Sequence, residues 1–79
     1  MKSQELADVI RMHRKAARLS RDKLAEISGV GKTLIYDIEK GKETIQLNTL
    51  LKVLSVLNIK IELTSPLMDN LRNMENEKG

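Results

Sequence analysis

Cationic side chains are spread unevenly along this sequence. Between Arg11 and Lys42 nine Lys and Arg residues stand against four Asp and Glu, whereas from Ser65 to Gly79 two stand against three, within a net charge of +3 over 79 residues. A local excess of this kind suits a polyanion such as a phosphate backbone, although a solvated helix face gives the same count. Other chemistries find little here. The absence of Cys excludes disulfides and thiolate metal sites, and the single histidine, His13, cannot build a zinc site alone, so neither metal nor cofactor is expected. Gly29-Val30-Gly31 lacks the preceding strand that a nucleotide-cradling loop needs, and there is no nucleophile–base–orienter set. The chain does not read as an enzyme.

The elements that must position these charges are helical for most of the chain. Ser3 stands as an N-cap before Leu6, Val9, Ile10, His13 and Ala17, which predicts a first helix from Gln4 to Arg18. Leu19 and Ser20 break it, and Ser20 can cap a second helix over Arg21–Ser28 with Leu24, Ala25 and Ile27 as its apolar positions. Gly29 suits the left-handed residue that ends a helix, and Val30 can anchor the turn. A third helix is expected over Lys32–Lys40, burying Leu34, Ile35 and Ile38, with Gly41 as its stop and a loop over Lys42–Gln46. A fourth runs from Leu47 to Leu57, and its wide face (Leu50, Leu51, Val53, Leu54, Leu57) predicts a place at the centre of the core.

After Asn58 the period changes to the alternation of a strand, Ile59-Lys60-Ile61-Glu62-Leu63-Thr64. A lone strand has no mate in its own chain, so Ile59, Ile61 and Leu63 are expected to pair across a homodimer; an extended segment lying on the helices is the alternative. Ser65-Pro66 can start a short helix with Leu67, Met68, Leu71 and Met74 on one side, and the polar MENEKG end is expected to be mobile. The fold class is therefore all-α with one C-terminal strand. The division is a domain over residues 1–64 and a tail over 65–79. So short a chain buries little surface alone, which adds to the case for a partner copy. No apolar run approaches the ~20 residues of a membrane span and MKSQELADVI is no secretory signal, so a soluble, cytoplasmic protein is expected.

The stretch Leu19–Gly41, LSRDKLAEISGVGKTLIYDIEKG, has the spacing of a helix-turn-helix. Small Ala25 lets the two helices approach, while Leu24, Ile35 and Ile38 hold them at an angle, leaving the start of the third helix free to enter a major groove. Leu24-Ala25, Ser28-Gly29-Val30, Ile35 and Ile38-Glu39-Lys40-Gly41 resemble the phage-repressor-like (XRE) helix-turn-helix family, which includes Cro, and Thr49–Leu54 with Leu57 look like that family's following helix. The likeness covers Leu6 to Leu57 and implies a DNA-binding transcriptional repressor. It also implies residue roles. Arg21 falls where family members meet phosphate or a base. Gly31, Lys32, Thr33, Tyr36 and Asp37 lie on the exposed side of the recognition helix, with Asp37 a poor neighbour for phosphate. Lys40 and Lys42 fit backbone contacts, and Arg14 with Glu39 match a partly buried structural ion pair.

The expected strand departs from relatives that continue with a fifth helix. It is similar to the arrangement of HipB-type antitoxins, which implies an autoregulating repressor of a toxin–antitoxin operon whose second partner is a HipA-type serine/threonine kinase toxin. A stand-alone repressor of the same fold, and a helical protein-interaction module whose basic face is incidental, are the competing readings.

Overall fold

The computed structural model describes residues 2–68 and 70. Its helices are α1 (Ser3–Ala16), α2 (Arg21–Ser28), α3 (Lys32–Glu39) and α4 (Leu47–Val56), followed by a helical turn at 66–68. Among the described residues no strand forms. Leu71, Met74 and the polar end lie outside the described residues.

Each of the four helices stops in the same way, with a left-handed residue and two reversed hydrogen bonds. After α2, Gly29 has φ 72°, its N–H donates to the Glu26 carbonyl at 3.2 Å, and Val30 N–H donates to Ala25 at 3.0 Å. After α3, Gly41 has φ 88° and the Lys42 N–H reaches Asp37 at 3.1 Å. Asn58 (φ 58°) closes α4, where Ile59 donates to Leu54 at 2.9 Å. Arg18 (φ 59°) closes α1, where Leu19 donates to Arg14 at 3.1 Å. These bonds satisfy carbonyls that a helix end would leave bare. The residue after the turn then folds back onto the core: Leu19, Val30 and Ile59 all pack against it.

The core is formed by Ile10 of α1, Leu24 and Ala25 of α2, Ile35 and Ile38 of α3, and Val53, Leu54 and Leu57 at α4 and its end. α2 packs on both α3 and α4, and α1 packs on α3. Ala25 of α2 is 3% exposed within that core.

Several sequence expectations change. Ser3 is not the cap of α1: Leu6 N–H already bonds the Lys2 carbonyl, so the helix begins a residue earlier, on an N-cap with no side-chain bond. α1 also ends at Ala16 instead of Arg18, because the chain reverses at Arg18 itself. Ser20 does cap α2, its Oγ accepting from Lys23 N–H at 3.0 Å. Ile27 is exposed, not core. Only part of the broad α4 face is covered: Val53, Leu54 and Leu57 are buried and Leu50 half-buried, while Leu51 stays exposed.

The segment 59–64 is irregular where a strand was expected, since a ladder needs a neighbour that one chain does not supply. Ile59 packs against the core and shares a groove beside Leu6, Val9 and Leu50 with Ile61 and Leu63, which are 49% and 72% exposed. Beyond it Ser65 Oγ accepts from Met68 N–H at 3.0 Å, which is the cap expected of Ser65-Pro66.

Candidate nucleic-acid interface

Three short segments bring the cationic residues to one place. The Gly29-Val30-Gly31 turn swings α3 away from α2, so that Gly31 caps α3 with φ −69° and ψ 145°. A Cβ built on Gly31 would meet nothing within 4 Å, and its backbone is ordinary. The fold therefore does not require glycine here, and the start of α3 is open to an approaching surface.

Lys32, Thr33, Tyr36, Asp37 and Lys40 from α3 and its end line a shallow depression of about 380 Å³, with Asp22 of α2 on its rim. Lys32, Thr33, Tyr36 and Lys40 are exposed and Asp37 is half-buried. The hydrophobic side of α3 explains that placement. Ile35 and Ile38 face inward, so Lys32, Thr33 and Tyr36 must point out on the opposite arc. Lys42 lies just past the helix, its Nζ 3.5 Å from Asp37 Oδ2, which partly offsets the one acidic side chain on the exposed face of α3.

Behind this surface sits a buried carboxylate. Glu39 is 2% exposed and accepts from Arg14 twice, Nε to Oε2 at 2.7 Å and Nη2 to Oε1 at 3.1 Å. Arg14 also donates from Nη1 to the Leu19 carbonyl at 2.8 Å, so the guanidinium ties the end of α1 to the last turn of α3. Arg21 Nε donates to Glu39 Oε1 at 3.3 Å, and its guanidinium lies 5.0 Å from the centroid of the Tyr36 ring. Arg11 Nη2 donates to the Glu39 carbonyl at 2.6 Å, and Arg11 Nε is 3.6 Å from Oε1. Burial pushes the Glu39 carboxyl up, but the hydrogen bonds and charges of Arg14 and then Arg21 outweigh it and hold the group below its ordinary range.

The sequence-predicted residues thus fall into three groups. Gly31, Lys32, Thr33, Tyr36 and Lys40 share the α3 surface with Lys42 beside it. Arg14 and Glu39 meet beneath it, and Arg21 bridges the two. Ile59, Ile61 and Leu63 lie apart, after α4. Arg11 escaped sequence reasoning, because nothing local links it to a residue 28 positions away; its place three residues before Arg14 on α1 is the only available hint.

A family model described as helix-turn-helix matches residues 10–63. The chain is 37% identical over 62 residues, 78% of its length and 82% of the relative's, to an uncharacterized HTH-type transcriptional regulator, y4mF, of Sinorhizobium fredii. It is 32% identical over 74 residues, 94% of its length and 83% of the relative's, to the control protein C.SmaI of Serratia marcescens. Among solved structures, an HTH_3 family transcriptional regulator from Vibrio cholerae matches with TM-score 0.65 and 31% identity over 73% of this chain, which spans only 33% of that one. HipB, in a structure of the HipA-HipB-O2-O3 complex, matches with TM-score 0.74 over 84% of this chain and 93% of that one; at 21% identity the likeness is one of fold. Among the described residues no helix is long and apolar enough to cross a membrane. The family model takes in the α2–turn–α3 unit together with α4, so this chain belongs to the helix-turn-helix family of DNA-binding transcriptional regulators.

Proposed function

We propose that the chain is a sequence-specific repressor that binds operator DNA as a homodimer, each copy setting α3 into one major-groove half-site. The observation that carries this reading is the outward arc of α3. Lys32, Thr33 and Tyr36 project from one face, the glycine before them adds no bulk, and Lys40 and Lys42 extend the positive charge toward where a sugar–phosphate strand would run. In this reading Lys32 meets guanine acceptors or a phosphate, Thr33 a base edge or a thymine methyl, and Tyr36 a methyl or phosphate. Residues 1–64 form the binding unit and 65–79 its tail. Exposed Ile61 and Leu63, with Leu51 nearby in the α4 surface, supply apolar area for a second copy, whose own segment 59–64 would complete the strand pair.

The finer role is that of an antitoxin with a HipA-type kinase as second partner. It is supported by the likeness to HipB, which runs over 84% of this chain. The stand-alone regulator is favoured instead by the likeness to C.SmaI, which has higher identity over more of the chain. Purification of the tagged chain from its host separates the two: a stoichiometric kinase-like protein supports the first, and its absence the second.

DNA binding is tested by salt titration on a duplex selected from a randomised pool. Affinity falling steeply with ionic strength is expected, and binding indifferent to salt would favour a protein-interaction module. Lys32→Ala and Thr33→Ala should each weaken binding by roughly 1–3 kcal/mol with the fold intact; unchanged affinity in both removes the recognition-helix assignment.

A further inference from the structure

Arg21 is the one cation of the candidate interface that is bound on two sides within its own chain. Its Nε donates to the buried Glu39 carboxylate at 3.3 Å and its Cζ lies over the Tyr36 ring, 5.0 Å from the centroid. Its Nε and one face of the group are thus committed within the chain, which leaves only the Nη end of the fork for a phosphate. Glu39 is itself held in place, because Arg14 pins both of its oxygens and Arg11 holds its backbone carbonyl.

We propose that Arg21 is a positioning residue: it fixes the Tyr36 ring on the recognition surface by stacking on it while anchored to Glu39, and Tyr36 so held sets specificity at one operator base pair. This rests on the DNA-binding reading above and deepens it. A Tyr side chain on an exposed helix face turns about two torsions, and a ring that is free to turn meets a base step in several ways. A guanidinium on one face of the ring leaves the other face and the hydroxyl for DNA. The direction of the chain is then from core to surface: Arg14 orients Glu39, Glu39 orients Arg21, and Arg21 orients Tyr36. The link from Glu39 to Arg21 is not visible in the local sequence, as the two are 18 positions apart.

The test is a double-mutant cycle, Arg21→Ala against Tyr36→Ala, read on a duplex selected by the wild-type chain and on its single base-pair variants. Tyr36→Ala locates the base pair at which discrimination falls, by about fivefold or more for a lost base contact. Arg21→Ala is expected to lose discrimination at that same base pair, to add nothing once Tyr36 is gone, and to leave the salt slope unchanged. A direct phosphate ligand behaves otherwise, lowering the slope by about 0.9 and weakening all sequences alike. That outcome, or additivity of the two substitutions, overturns the proposal.

Tyr36 is the sole Tyr in a chain without Phe or Trp, so its ring resonances are readily told from those of the single His13 and report on the free protein. They should move in Arg21→Ala, and unmoved resonances refute the stacking. Should Arg21→Ala fail to fold, Arg21→Lys serves. It keeps the charge and loses the planar fork, so the salt slope is expected to hold while discrimination drops; wild-type discrimination in Arg21→Lys shows that charge alone matters and overturns the proposal. Failure of the randomised pool to yield any duplex would instead refute the DNA-binding reading, a result distinct from each of these.

Discussion

Removing the Glu39 carboxylate probes the link between the core and the recognition helix. In Glu39→Ala the Arg14 guanidinium, 7% exposed in the native chain, loses both of its carboxylate hydrogen bonds and keeps only the Leu19 carbonyl. Breaking a buried pair on one side costs about 3–5 kcal/mol, because the remaining charge is stranded. Domains of this size hold about 0.05–0.15 kcal/mol per residue, so the loss takes a large share of the folding free energy. With a urea slope of about 1–3 kcal/mol per molar, the midpoint should drop by roughly 2 M, or the variant should be unfolded without denaturant. The double substitution Arg14→Met with Glu39→Leu removes both charges and should recover most of the loss, since apolar replacement of a buried pair is commonly neutral or better. Urea unfolding followed by helical circular dichroism measures all three proteins. A Glu39→Ala midpoint within about 0.3 M of wild type, or a double variant no better than the single, refutes the reasoning about a stranded charge.

Acid should act on the same group. Because the folded state holds Glu39 below the ordinary carboxyl range, its contribution is fully present above the unfolded value of about 4.3 and is lost as pH falls through the lower folded value. The stability advantage of wild type over Glu39→Gln should therefore be constant near neutrality and shrink toward strong acid; an advantage that grows on acidification contradicts the assigned direction. Arg18→Gly should stabilise the chain by about 1 kcal/mol, because the left-handed conformation at φ 59° strains any residue with a Cβ, and thermal unfolding checks it. Ile61→Lys should weaken self-association by placing a charge among the exposed apolar residues that follow α4, read by sedimentation across concentration; a wild type that is monomeric throughout refutes the paired-segment idea.

Much of the fold follows from short-range patterns. Helical spacing in α2 and α3, the two glycines that end them, and the capping serine before α2 are local, and each acts on the backbone within a turn of its own position. What was hidden depends on tertiary context. Arg18 carries no turn preference, yet it takes the left-handed position because Leu19 must fold back onto the core. Ile27 is apolar and periodic but sits on the arc of α2 that points away from its neighbours. The wide α4 face looks central on paper, but a chain this small covers only one side of it, and Leu51 remains outside. Segment 59–64 alternates like a strand, but pairing is a property of two segments and one chain leaves it irregular. At the candidate site, the outward residues of α3 follow from helix phase. The Arg14–Glu39 pair is implied by the family resemblance, but Arg11 and Arg21 are not expected on Glu39, which they reach across 28 and 18 positions.

The most direct measurement is amide chemical-shift mapping of the isotope-labelled chain as the selected duplex is added. If α3 is the reading element, the largest changes fall on Gly31–Tyr36, with smaller ones at Arg21, Lys40 and Lys42, and saturate at two chains per duplex. Changes concentrated on α4 and residues 59–64, with the start of α3 left undisturbed, would mean that nucleic acid meets another face and that the recognition surface described above is not one.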